Sequence, residues 1–114
     1  MNEFVFLFRW KKEIQPAPEQ MQTAIQQWQE WIGRLTAQNQ LAGIGNPLGS
    51  EGRVVRANGV VTDGPYAELK EAVGGYLLIR ARDFDEAVVI AQGCPIVMGG
   101  GCVEVRKVAG MDGN

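Results

Sequence analysis

The stretch Asp63-Gly64-Pro65 constrains this chain more than any other. Val60-Val61-Thr62 before it and Tyr76-Leu77-Leu78-Ile79 after it have the branched and aromatic character of strands. Between them, Gly64 admits backbone angles that other residues avoid. Pro65 removes a ladder donor and fixes its own φ. The chain is therefore expected to leave the sheet at Asp63, cross the surface and re-enter near Val73. Asp63, Glu68, Lys70 and Glu71 collect on that crossing, and a polar corner at the ends of paired strands is where a site is often built.

The rest of the chain arranges itself around this corner. Glu3 to Trp10, rich in aromatic and branched residues, reads as a central first strand, apolar on both faces. Pro18 suits the first position of a helix, with Ala17 as a poor cap before it. Met21, Ala24, Ile25, Trp28, Ile32 and Leu35 then recur at three- and four-residue steps and predict one buried stripe, with Trp31 at its edge and only partly covered. That helix should end between Thr36 and Gln40. Leu41 to Leu48 reads as a short irregular strand, and Asn58-Gly59 between two valine-rich runs predicts a type I′ hairpin. Gly74 to Ala81 is the next strand. Asp83 with Glu86 forms a capping box for a second helix, whose apolar face is Phe84, Ala87, Val88, Ile90 and Ala91, ending at a left-handed Gly93. Cys94 to Gly101 reads as a loop. Cys102 to Val108 is a last strand with Val103 and Val105 on one face and Glu104 and Arg106 on the other.

Strand, helix, strand, hairpin, strand, helix, strand predicts an α+β domain. It is a ferredoxin-like arrangement: an antiparallel sheet with two helices on one face and an inserted β-hairpin. A length of 114 residues fits a single domain spanning 1–114. A net charge of −2, with acidic and basic residues mixed, lacks the basic footprint of direct nucleic-acid binding. The apolar runs are too short to span a bilayer. The start Met1-Asn2-Glu3 does not read as a signal peptide, so a cytoplasmic protein with thiols buried and out of disulfides is expected. Cys94 and Cys102 are the only cysteines and histidine is absent, so no metal and no cofactor is expected. Phe4 to Phe8 and Tyr76 to Ile79 are apolar at successive positions, so a homodimer is expected to cover the second sheet face.

Residues 63–71 also carry a resemblance. They resemble the Asp-Gly-Pro-Phe-x-Glu-x-Lys-Glu signature of the DGPF group within the YCII-related domain family, departing only at Tyr66. Gly74-Gly75-Tyr76 and Val103-Glu104-Val105-Arg106 are similar to that group too. The resemblance runs from Phe4 to Val108. It implies a dimeric α+β barrel and an acid/base role for Asp63. The family's partner histidine has no counterpart here, so a mechanism that needs a His–Asp pair is closed to this chain.

Asp63 is thus the candidate catalytic residue, for a proton transfer of lyase or hydrolase type. The competing reading makes it a turn former that accepts N–H bonds from Gly64 onward. Glu68, Lys70 and Glu71 are candidate ligand-binding residues or a solvated charge run that pins the loop. Tyr66 offers a phenol or packs its ring beneath the loop. Arg9 is placed to pair with Asp63 or Glu71, and with Trp10 and Trp28 it would line a cleft for a small polar or aromatic molecule. Without a base beside it, Cys94 reads as an inert thiol. The alternative to an enzyme is a non-catalytic accessory or protein-interaction module. Relatives that resemble the chain carry transcription-initiation labels, so such a role would run through protein partners.

Overall fold

The computed structural model describes residues 2–11, 18–49, 51–64 and 71–109. In chain order these form β1 (Asn2–Lys11), α1 (Pro18–Ala37), β2 (Leu41–Gly43), β3 (Gly52–Val55), β4 (Val61–Gly64), β5 (Glu71–Ala81), α2 (Phe84–Gln92), α3 (Pro95–Met98) and β6 (Cys102–Lys107). The fold is mixed α+β. A four-stranded sheet runs in the order β2-β5-β1-β6, and β3 and β4 make a separate two-stranded sheet. All pairings are antiparallel.

Alternation in β1 sets both faces of the large sheet. Phe4, Phe6 and Phe8 are buried, and their cross-strand partners are Ile79, Leu77 and Gly75 in β5 and Lys107, Val105 and Val103 in β6. Successive strand residues point to opposite faces, so Val5 and Leu7 share the other face with Leu78 and Tyr76 and with Arg106 and Glu104. Trp31 and Leu35 of α1 and Ala87, Ile90 and Ala91 of α2 complete one cluster with the three phenylalanines. Removing each such aromatic ring from water contributes about 2 kcal/mol or more.

The helix rotates relative to the stripe that its sequence suggests. Trp31 is 3 % exposed, near Phe6 with ring centroids 6.5 Å apart, whereas Trp28 is only partly buried. Met21, Ala24 and Ile25 are exposed. The first turns of α1 therefore leave their apolar side chains off the core, and the last turns do the anchoring. In α2, likewise, Phe84 and Val88 remain partly open to solvent, although the Phe84 ring packs edge-on to Phe4 at 4.9 Å.

Four local expectations are corrected. Asp63 and Gly64 still pair, with Arg53 and Gly52, so the ladder continues through them, and β5 already begins at Glu71. The hairpin turn is not type I′: Gly59 N donates to Arg56 O at 2.9 Å, and of the loop residues only Gly59 has positive φ. A three-residue loop closing on a left-handed glycine gives the strands the right twist with one such residue. Gly93 ends α2 at φ −84°, a right-handed conformation. Cys94 to Gly101 is not all loop, because Pro95 opens the short helix α3. The Asp83 cap is as expected: its Oδ1 accepts Glu86 N at 2.9 Å, while Glu86 reaches back to Arg82 N at 3.0 Å.

Candidate functional site

The half-exposed start of α1 overhangs the sheet and bounds a cleft of about 1510 Å³. Trp28, Ile25 and Ile32 form its helix wall, Phe8 and Leu77 its sheet side, and Ile96 of α3 also lines it. The facing wall is residues 44–47, laid along β5, with Pro47 bridging to Gly75 and Leu48 N donating to Gly74 O at 2.9 Å.

Glycine makes that wall possible. A Cβ at Gly45 would run into the carbonyl and ring of Tyr76. A Cβ at Gly75 would meet Asn46 O at 3.3 Å and Phe8 at 3.7 Å. The pairing slips between Phe8 and Arg9, whose partners are Gly75 and Val73, so Gly74 has no partner in β1. Such a bulge bends the strand locally, and here it falls where the cleft opens.

The cleft is chemically plain. Of its described lining residues, only Glu19 carries a formal charge, and the remainder are aliphatic, aromatic or neutral polar. Among the described residues no group of three or more Cys, Asp or Glu is placed to hold a metal.

Arg9 does not join this cleft. Its Nε and Nη2 donate to Glu104 Oε1 at 3.2 and 3.0 Å across the β1–β6 ladder. Glu104 pairs with Leu7, so the ion pair lies on the sheet face away from the helices, whereas Trp28 packs edge-on to Phe8 at 5.1 Å on the helix face. The expected grouping of Arg9 with Trp28 is therefore separated by the sheet itself. Arg106 approaches the same Glu104 at 4.0 Å.

Asp63 sits in β4 opposite Arg53, inside a ladder rather than a free turn. Its side chain, like those of Trp10 and Glu71, falls outside what the structure describes, and Tyr66, Glu68 and Lys70 lie outside the described residues. Sequence reasoning missed Ile44, Gly45, Pro47 and Gly75 as wall residues. The available signal was Gly43-Ile44-Gly45-Asn46-Pro47, whose glycines mark close backbone approach.

Neither cysteine forms a disulfide. Cys94 is fully buried, but Cys102 is exposed on β6, against the expectation of two buried thiols. Among the described residues no helix is long and apolar enough to cross a membrane.

An antiparallel α+β sheet with a helix-bounded cleft defines the class of fold. The chain belongs to the YCII-related domain family, whose model matches residues 4–112. No curated protein matches it significantly.

Proposed function

We propose that this chain is a DGPF-type member of its family, a ferredoxin-like domain that pairs as a homodimeric α+β barrel and binds a small molecule in the cleft beside α1. The observation that carries this reading is the cleft: a wide, mostly apolar opening over a close-packed sheet. Concave, largely apolar pockets with a few polar groups are the usual form of small-molecule sites. The strand order β2-β5-β1-β6, with helices after β1 and β5, supports the ferredoxin-like assignment. The apolar strip of Val5, Leu7 and Leu78 on the second face supports the dimer. Asp63 is the proposed acid/base group for a lyase- or hydrolase-type step, with Tyr66, Glu68, Lys70 and Glu71 as ligand contacts. The protein acts in the cytoplasm, without direct nucleic-acid or membrane contact. A thermal-shift screen of small molecules against wild type and Asp63→Asn tests this. Ligands should raise the wild-type midpoint, and the variant should fold normally but respond less. An equal response by both overturns the role of Asp63, and no response to any ligand overturns the binding function.

A second reading, an accessory module acting through protein partners, has one observation in its favour. Phe84, Val88 and Val89 of α2 are exposed apolar residues, and Val88 lines a small pocket together with exposed Val97.

A further inference from the structure

The character of the cleft narrows what can occupy it. An anionic ligand would need a cation, and none lines the described wall. Burying an unpaired charge there would cost far more than an apolar contact returns. Glu19, the one charge in the described lining, is exposed to solvent, so this lining suits an uncharged occupant.

Its shape follows from Trp28. This indole is only half buried, although it heads a chain of aromatic contacts: Trp28 to Trp31 at 5.4 Å with a 53° tilt, and Phe8 to Trp31 at 6.5 Å. The chain fixes the indole from behind and leaves part of it to the cavity. In the same lining, Gly75 presents no side chain, and Gly45 lets residues 44–47 lie against Tyr76. A fixed ring and a stretch of wall carrying Gly45 and Gly75 thus border the same cleft. A partly open indole in such a lining suits flat molecules, because aromatic pairs gain from stacked or edge-to-face geometry beyond simple burial.

We infer that the cleft takes an uncharged, planar aromatic molecule seated against Trp28, an inference that rests on the small-molecule reading and supplies its ligand class.

Isothermal titration with three probes tests this: 1-naphthol, 1-naphthoate and 1-decanol. The neutral bicyclic ring should bind best, with naphthoate and decanol each weaker by about tenfold or more, since tenfold corresponds to about 1.4 kcal/mol. Trp28→Ala should weaken 1-naphthol by about tenfold and Trp28→Phe by no more than about threefold, as expected of a ring contact. Because Trp28 also touches the core, Ile25→Glu is the second variant: Ile25 lines the cleft yet is 55 % exposed. It should abolish naphthol binding without moving the unfolding midpoint. Decanol or naphthoate binding as well as naphthol overturns the inference, as does naphthol binding unchanged in both Trp28→Ala and Ile25→Glu. If only polar compounds shift the wild-type midpoint and naphthol does not bind, the ligand class fails while the binding function stands. If nothing binds, both fail.

Discussion

Burial holds the Cys94 thiol at the start of α3 protonated, pushing its pKa from 9.0 up to about 11, while backbone hydrogen bonds with Ile96 and Val97 pull weakly the other way. The unfolded chain would lose this proton near 9 and the folded chain only near 11. Proton release then favours the unfolded state, so stability falls as pH rises through that window. A two-unit difference corresponds to about 2.7 kcal/mol in full, of which about 2 is reached by pH 11. Urea unfolding from pH 8 to 11 should show Cys94→Ala losing about that much less stability than wild type. A thiol reagent should modify Cys102 in the native protein and Cys94 only after unfolding. The inertness of Cys94 was legible in the sequence, since no histidine stood ready to activate it. The tryptophans were less legible. Helical spacing places Trp28, Ile32 and Leu35 on one stripe, but Trp31 lies only one residue off it. Which indole turns inward depends on Phe6 and Phe8, rings supplied by a distant strand. Periodicity fixes a face to within a fraction of a turn, and tertiary packing settles the rest.

Elements differ in how much of their form is local. The α2 cap uses residues three apart, so Asp83 and Glu86 announced it. Asp83→Ala removes the acceptor for Glu86 N and should cost about 1 kcal/mol, read from the shift in the urea midpoint with an unchanged slope. The α3 turn was hidden because its short Pro95–Met98 run sits between Gly93 and three further glycines. The hairpin was legible, but its turn was not: Asn58-Gly59 fits two loop lengths, and the observed bond from Arg56 N to Val60 O selects the longer. This hairpin also leaves Val55 and Val61, a cross-strand pair, 69 % and 57 % exposed. A lone two-stranded ribbon is marginal in water, so its valines are natural candidates for further cover. The cleft wall was the least legible element, because it depends on Pro47 meeting Gly75 across 28 positions of chain.

At the scale of the whole molecule, the shortest principal extent is 19 Å, about two layers of structure. One sheet face is thus an outer surface, with Val5, Leu7 and Leu78 flanked by Arg9, Glu104 and Arg106. Alternating charges on one strand suit a two-fold partner, because Arg106 of one copy can meet Glu104 of the next. Light scattering during gel filtration should give twice the 12.5 kDa chain mass for the proposed dimer, and Leu7→Asp should return it to a single chain. A wild-type mass of one chain, unchanged on tenfold concentration, would overturn the dimer. The two borders of the large sheet have a further consequence. One border strand, β2, is three residues long, and the chain beyond it turns along β5 with a proline that has no N–H to offer. The other, β6, carries Glu104, Arg106 and Lys107 after and between its valines. Neither border makes a flat, uncharged template on which a stranger's strand could add, which are the features that deter edge-to-edge growth into filaments. Rims of this kind leave the proposed two-fold pairing to the faces, where it would close after one partner instead of propagating.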